Sequence, residues 1–336
     1  MRRLFWLCFF CCFYRYGPAT DGFLFSAGDI CLNLEGVRLS YHGVTVVFTA
    51  ADYRYMTEPV KLAITYDFDG TLAFGNIQEY DLVPKFGMSP KQFWGLSAEL
   101  SNEQNVDGIL AYMWLILKMA KEKNVQIRRE QFFEYGKNIR FYKGVDTWFD
   151  RINRYGKSKG VDVQHYIISS GLKEMIEGTK IARYFNRIFA SCYMYDGEGN
   201  PIWPARAVNY TNKTQYIFRL NKGVLDERDD DSVNAYTPHK NRVLPFSQIV
   251  YIGDGATDIP CMRLVKNFGG FAIMIYQDEM PEKKQMAQKY LETGRISMIS
   301  PNDYSPGSNL ERGVKLIIDS VVAKARFNEI NSLEFD

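Results

Sequence analysis

The chain has 336 residues, of which 46% are apolar and 15% aromatic, so it can bury one large core or the cores of two domains. Its formal net charge of +2 is close to balance and gives no basic footprint for nucleic acid. The longest apolar stretches, such as residues 108–120, are too short and too interrupted to span a bilayer. We therefore predict neither a nucleic-acid partner nor a membrane partner.

The first 55 residues differ from the rest of the chain. They open with MRRLFWLCFFCCFYRY, a basic start and an apolar run that superficially matches a signal peptide, but no small-x-small cleavage site follows. Cys192 and Cys261, which lie far from this segment, show no paired spacing and are typical of a reducing compartment. We predict that residues 1–55 are a poorly ordered extension and that a cytoplasmic enzyme starts naturally at Met56. A secretory or membrane-anchored segment is the alternative.

From Pro59 onwards, short strand-like runs alternate with helical stretches, which predicts an α/β fold with a parallel sheet. Each predicted strand is short and rich in apolar or β-branched residues. The predicted strands are residues 62–66, 163–168, 249–252, 271–276 and 296–299.

The interval between the first two predicted strands is long and helical in pattern throughout. One helix is predicted to begin at the Ser-Pro pair of SPKQFWGLSAEL, and others at VDGILAYMWLILKMAKEKN and RREQFFEYGKNIRF. A crossover of this length indicates an inserted helical domain rather than a simple connection. We therefore predict a helical cap over residues 75–140.

Three further patterns follow the second predicted strand. Residues 171–185 have the spacing of another helix. The DGEGN turn at residues 196–200 is flanked by alternating apolar residues, which predicts a β-hairpin. The acidic run from Asp226 to Asn241 is interpreted as a solvated loop rather than a metal site.

Two carboxylates, Asp67 and Asp69, follow directly on the first predicted strand in the sequence DFDGT. Like charges beside a buried strand repel each other and lose hydration, which is costly unless a cation compensates them. Ser169 in IISSG and Asp254 in GDGATD follow two later strands. Because ligands of open α/β sheets bind beyond the carboxyl ends of the strands, these side chains should meet at one place.

Together with Lys213, at the start of a predicted helix, these motifs resemble in content and order the four motifs of the haloacid dehalogenase-like (HAD) hydrolases. The resemblance covers about residues 60–325. Within that family the chain is most similar to the phosphoserine-phosphatase-like branch. The reasons are the position of the helical insert, the glycine that ends IISSG and the hairpin that follows.

The resemblance implies a doubly wound (Rossmann-like) parallel sheet with an inserted all-helical cap, the core being residues 56–74 and 141–336. It implies a Mg²⁺-dependent phosphatase that hydrolyses a small phosphate monoester through an aspartyl-phosphate. Asp67 would be the nucleophile and Asp69 the general acid and base. The Mg²⁺ ligands would be the carboxylates of Asp67 and Asp254 and the backbone carbonyl of Asp69.

Further roles follow from the same resemblance. Ser169 would donate its hydroxyl to a phosphoryl oxygen as a catalytic group. Ser170 and Gly171 would bind the substrate with their backbone N–H groups. Thr71 would either touch phosphate as a substrate-binding residue or fix the turn that presents Asp69.

Three lysines are candidates for the lysine of the third motif. Lys213 would offset the negative charge of the nucleophile and the phosphate, but Lys222 and Lys240 lie at a more usual spacing from Asp254. We predict Lys213, because it opens a helix. Asp258 would hold Lys213 or a metal-bound water.

The carboxylate at position 69 also separates activities within the family. A dehalogenase needs no proton donor there, and a transport ATPase would carry a lysine in its place. A phosphomutase using the same residues remains the first alternative to a phosphatase. A non-catalytic regulatory or binding protein on the same fold is the second.

Overall fold

The computed structural model describes residues 30–33, 36–41, 44–49 and 59–332, with side chains from residue 59 to residue 328. The chain divides into two units, Met1–Glu58 and Pro59–Asp336. In the first unit, β1 (Ile30–Asn33), β2 (Gly36–Tyr41) and β3 (Val44–Thr49) form an antiparallel sheet with β2 in the centre. The rest of the first 55 residues lies outside the described part, so the poorly ordered extension and its signal-like start stay predictions.

A larger sheet forms the second unit. Its strands are β4 (Val60–Tyr66), β5 (Val161–Leu172), β6 (Phe185–Tyr195), β7 (Pro201–Arg206), β8 (Ile249–Gly253), β9 (Phe271–Tyr276) and β10 (Met298–Pro301). They lie in the order β10-β9-β8-β4-β5-β6-β7. Every neighbouring pair is parallel except β6 and β7, which form the antiparallel hairpin predicted around the DGEGN turn. The predicted α/β fold is therefore confirmed.

Helices connect these strands. Between β4 and β5 lie α1 (Leu82–Lys85), α2 (Pro90–Gln104), α3 (Gly108–Glu122) and α4 (Arg129–Gly136). A fifth helix, α5 (Val145–Ser158), also precedes β5. The later helices are α6 (Lys173–Glu177), α7 (Lys213–Lys222), α8 (Asp230–Asn234), α9 (Ile259–Asn267), α10 (Pro281–Glu292) and α11 (Asn309–Ser332). Within the described residues, no helix is both long enough and apolar enough to cross a membrane.

Both faces of the central strand β4 are buried, which explains its continuous apolar sequence. Leu62 and Ile64 pack in one apolar cluster, which includes Trp148 of α5. Ala63 packs in a second cluster on the other face, which includes Tyr216 of α7. The sheet is therefore covered on both sides, and the carboxyl end of β4 lies in its middle, between β5 and β8.

The inserted helices begin as the sequence predicts. Ser89 precedes α2, where its hydroxyl accepts from the backbone N–H of Gln92 and the Gln92 side chain accepts from the Ser89 N–H. Asp107 precedes α3, and its carboxylate accepts hydrogen bonds from two backbone N–H groups in the first turn of that helix. Phe132 of α4 stacks on Tyr193 of β6 at a centroid distance of 5.8 Å, so the insert packs directly against the sheet. Its boundary as a separate cap over residues 75–140 stays a prediction.

Some element boundaries differ from the prediction. Strand β5 continues through Leu172 and includes Ser169, which was expected just beyond the strand. Strand β10 begins at Met298 instead of residue 296. The single helix predicted over residues 171–185 is wrong, because α6 ends at Glu177. A Cβ at Gly178 would lie 2.0 Å from the carbonyl oxygen of Phe133, so this turn passes closely under α4.

The acidic run is also more ordered than a solvated loop. The Glu227 side chain is only 5% exposed, and its carboxylate lies 2.7 Å from Arg206. The buried Arg219 of α7 donates to the carbonyl oxygens of Asp226 and Asp229 at 2.8 and 3.1 Å. The prediction was wrong for Glu227, because cations on neighbouring elements compensate its burial.

Candidate active site

Asp67 lies one residue beyond β4, and its N–H still donates to the Ile252 carbonyl of β8 at 3.0 Å. This pairing fixes its backbone, while its side chain is only 10% exposed. Burial raises the pKa of the Asp67 carboxyl well above its usual range; the charge of Asp258 raises it further, and Lys213 opposes both. An ionised Asp67 therefore depends on cations close by.

Lys213, the first residue of α7, supplies one such cation. Its Nζ lies 3.1 Å from Asp67 Oδ1 and 2.8 Å from Asp258 Oδ1, and the side chain is 1% exposed. Burial by itself lowers the pKa of Lys213, but the two carboxylates outweigh it and raise the pKa, so the amine stays charged. The structure thus brings Lys213 to the predicted site. Lys222 instead donates to the carbonyls of Val233 and Ala235, and Lys240 is exposed.

Asp258 is fully buried behind this lysine. Its Oδ1 accepts from Lys213 and from the Tyr251 hydroxyl, each at 2.8 Å. Its Oδ2 accepts from the Gly255 N–H at 3.2 Å. Asp258 was predicted to hold either Lys213 or a metal-bound water, and in the structure it contacts Lys213.

Asp254 follows β8 and faces Asp67. The Thr71 hydroxyl lies 3.4 Å from its Oδ1, and Lys283 Nζ lies 3.2 Å from its Oδ2. Burial raises the pKa of Asp254 and the charge of Asp258 adds to the effect, whereas Lys283 lowers it. Thr71 is itself fully buried, so its hydroxyl helps to orient the Asp254 carboxylate.

A divalent metal fits between these carboxylates. One oxygen from each of Asp67, Asp254 and Asp258 lies within 4.8 Å of the others. The Asp258 side chain is fully buried behind Lys213, whereas the side chains of Asp67 and Asp254 are 10% and 13% exposed, so these two are the better metal ligands. Gly70 has φ +72°, and a Cβ there would lie 2.6 Å from Asp254 Oδ2, so the DFDGT turn passes directly beside this carboxylate. A cluster of oxygen donors suits a hard divalent cation.

Asp69 lies next to this cluster and is partly buried. The Ile77 N–H donates to its Oδ1 at 3.0 Å. Burial raises the pKa of Asp69 to about 7; the Ile77 N–H and Lys213 oppose the rise, and the charges of Asp254 and Glu79 add to it. Near neutral pH the carboxyl can therefore both hold and release a proton.

The second motif reaches the same place from β5. Ser169 is fully buried, and its Oγ accepts from the Gly171 N–H at 3.0 Å. A Cβ at Gly171 would lie 2.9 Å from Asp69 Oδ2, so a glycine lets the strand pass this close without displacing the carboxylate. The Ser170 carbonyl accepts from the hydroxyl of Tyr112, on α3, at 2.7 Å. The insert is thus tied to the core beside Asp69.

Three side chains that the sequence did not single out contact this site. Lys283 follows the predicted strand 271–276, so the rule that ligands bind beyond strand ends could have indicated it. Tyr251 lies inside a predicted buried strand, and nothing in the pattern shows that its hydroxyl reaches Asp258. The Tyr112 ring lies in an apolar cluster, and nothing in the sequence pattern shows that its hydroxyl reaches the Ser170 carbonyl.

Two solved structures resemble this chain at low identity. A HAD family hydrolase from Salmonella enterica subsp. enterica serovar Typhi is 19% identical, with a TM-score of 0.44, over 71% of this chain and 69% of that one. A phosphoserine phosphatase, solved as an analogue of its phospho-aspartyl intermediate, is 16% identical with a TM-score of 0.44, over 71% of this chain and 93% of that one.

The amino-acid sequence itself gives the stronger comparison. An uncharacterized protein from Borreliella burgdorferi is 30% identical over 279 residues, which cover 74% of this chain and 93% of that protein. The family model described as haloacid dehalogenase-like hydrolase matches residues 64–263. This match spans more than half of the chain and includes all the residues predicted for the site. The chain therefore belongs to the haloacid dehalogenase-like hydrolase family.

Proposed function

We propose that this hydrolase is a Mg²⁺-dependent phosphatase that hydrolyses a small phosphate monoester through an aspartyl-phosphate. The observation that carries the proposal is the position of Asp67 at the end of the central strand, in contact with a buried lysine at 3.1 Å. Asp69, with its pKa raised to about 7, lies two residues away. A nucleophile and a proton donor are thereby held at one sheet edge.

In the first step, the Asp67 carboxylate attacks phosphorus as the bond to the ester oxygen breaks. That oxygen takes the proton of Asp69 and leaves as the alcohol. Asp69, now ionised, then accepts a proton from water as the water oxygen attacks the same phosphorus. The bond between Asp67 and phosphorus breaks, inorganic phosphate leaves and both carboxyl groups return to their starting state.

The remaining polar groups hold charge in this scheme. Lys213 offsets the charge of Asp67 and of the phosphoryl oxygens. The Ser169 hydroxyl accepts a hydrogen bond from the Gly171 N–H. Its own O–H group can therefore donate a hydrogen bond to a phosphoryl oxygen. The backbone N–H of Ser170 is a further donor, whereas the N–H of Gly171, also predicted to bind the substrate, already donates to Ser169 Oγ. Asp67, the Asp69 carbonyl and Asp254 would hold Mg²⁺, which would supply positive charge at the site.

The phosphoserine-phosphatase-like branch is part of the same proposal. It is supported by the helices inserted between β4 and β5 and by the β6–β7 hairpin. A small phosphorylated compound is the proposed substrate, which the inserted helices cover. A cytoplasmic location is consistent with Cys192 and Cys261, which are free thiols.

The test is phosphate release from an aryl phosphate by the full chain, with Mg²⁺ and with excess chelator. Wild type is compared with Asp67→Asn and with Asp162→Asn, which changes an exposed carboxylate at the opposite end of the sheet. We expect metal-dependent release by wild type and Asp162→Asn and none by Asp67→Asn. Release that persists in Asp67→Asn contradicts the proposal. Transfer of the phosphoryl group back to the substrate, without phosphate release, indicates a phosphomutase.

A further inference from the structure

Lys283 forms an ion pair that the proposed reaction does not use. Its Nζ lies 3.2 Å from Asp254 Oδ2, the side chain of Lys283 being 32% exposed and that of Asp254 13%. Among the described residues, Lys283 is the one cation that forms a salt bridge with Asp254. Lys213 forms its salt bridges with Asp67 and Asp258. The carboxylate proposed to bind metal is therefore already bound by an ammonium group.

The charges at the site explain why this contact forms. Asp67, Asp254 and Asp258 place three carboxylates within a few ångströms, and Lys213 offers a single positive charge. Without a further cation the cluster keeps an excess of negative charge in a buried place, which is unfavourable. The Lys283 ammonium reduces that excess from the solvent side.

The position of Lys283 in its helix indicates that this contact is specific. It is the third residue of α10, where the helix dipole disfavours a positive charge. Lys284, the next residue, turns away and lies over the Tyr276 ring at 5.6 Å. Of these two neighbouring lysines at one helix end, Lys283 contacts Asp254 and Lys284 contacts an aromatic ring instead.

We propose that Lys283 is an internal counter-ion of Asp254 that a divalent cation must displace, so that this positioning residue sets the metal affinity of the enzyme. The inference rests on the proposed function, which makes Asp254 a metal ligand. A cation on Asp254 Oδ2 and the Lys283 ammonium compete for the same oxygen. Removing the lysine removes the competitor, and the metal then binds more tightly.

Calorimetric titration with Mg²⁺ alone tests this on the full chain, with no substrate present. We expect Lys283→Met to lower the Kd for Mg²⁺ about fivefold, the equivalent of about 1 kcal/mol for a partly exposed ion pair. Lys284→Met is the matched control, because it removes the same charge one residue away, and it should leave the Kd unchanged. Lys283→Arg keeps a competing cation and should bind Mg²⁺ like wild type.

The outcomes separate this inference from the proposed function. If Mg²⁺ binds wild type and binds Lys283→Met equally or more weakly, Lys283 is not a competitor and the inference is wrong. An equal gain in Lys284→Met also overturns it, because the effect is then one of net charge. Asp254→Asn distinguishes the two proposals, because it tests the metal site itself. That site is contradicted if wild type binds no Mg²⁺, or if Asp254→Asn binds Mg²⁺ with the Kd of wild type.

Discussion

Lys213 Nζ lies 3.1 Å from Asp67 Oδ1, and both side chains are buried at the carboxyl end of the central strand. The same ammonium lies 2.8 Å from Asp258, so it compensates two buried carboxylates at once. An uncompensated charge in such a place is strongly unfavourable. Catalysis and stability should therefore both depend on Lys213.

The substitution Lys213→Met tests this dependence. Removing one partner of a buried ion pair typically lowers the free energy of unfolding by about 3–5 kcal/mol, and we expect a loss of that size together with loss of phosphatase activity. Urea denaturation measures the change. Lys240→Met, at an exposed site, should stay within about 0.5 kcal/mol of wild type. Equal stability of the two variants contradicts the role assigned to Lys213.

Asp69→Asn should separate activity from stability. The Asp69 carboxyl is partly buried, and its backbone hydrogen bond comes from Ile77, so a neutral amide costs the fold little. We expect kcat to fall about 10²–10⁴-fold, because the leaving oxygen loses its proton donor, while the free energy of unfolding stays equal or rises. The loss should be larger for an alkyl phosphate than for a nitrophenyl phosphate, whose leaving oxygen needs no proton. An equal loss on both substrates contradicts a general acid.

Tyr112→Phe tests the contact between the inserted helices and the core. The Tyr112 hydroxyl donates to the Ser170 carbonyl at 2.7 Å, whereas the Tyr155 hydroxyl donates to the Asp319 carboxylate at 2.8 Å, away from the site. Both Tyr→Phe changes should lower the free energy of unfolding by about 0.5–1.5 kcal/mol. Only Tyr112→Phe should also reduce kcat/KM, chiefly through KM. If the two variants have the same kcat/KM, the hydroxyl of Tyr112 is structural.

His165 should make the fold sensitive to acid. It is buried between the Tyr66 hydroxyl and Asn153, and burial lowers its pKa to about 3. In the unfolded chain the pKa returns to about 6.5, so between these values the unfolded state binds one more proton than the folded state. Above pH 6.5, His165 therefore leaves the free energy of unfolding unaffected. As the pH falls below 6.5, it lowers the free energy of unfolding by up to about 1.4 kcal/mol per pH unit.

Urea titrations between pH 4 and pH 8 measure this dependence. His165→Gln should flatten the acid side of the profile, whatever its effect on stability at neutral pH. His239→Gln, at an exposed site, is the matched control and should keep the wild-type slope. An unchanged slope in His165→Gln contradicts the assignment.

The sequence predicted the part of the site that depends on topology. Asp67, Ser169 and Asp254 were expected together because each was placed at the end of a strand in one parallel sheet, and the structure brings them to one edge. Lys213 was preferred over two other lysines because it begins a helix, and α7 does begin there. These inferences needed only the ends of the predicted strands and the start of one predicted helix.

What the sequence missed depends on tertiary contacts. Glu227 was expected in solvent, but it is buried because Arg206 reaches it from a different strand. The helix predicted over residues 171–185 breaks at Gly178, where α4 passes too closely for a side chain. The strand-end rule could have placed Lys283 near this sheet edge, but its contact with Asp254 depends on how the first turn of α10 packs beside the residues that follow β8.

The most direct test of the proposed chemistry is to trap the phosphorylated enzyme. The full chain is mixed with Mg²⁺ and an aryl phosphate and quenched in acid, and peptide mass spectrometry locates any added phosphoryl group. We predict that wild type carries one phosphoryl group on Asp67 and that Asp67→Asn carries none. Phosphate release by wild type without a trapped phosphoryl group, or a phosphoryl group that maps to another residue, would contradict Asp67 as the nucleophile.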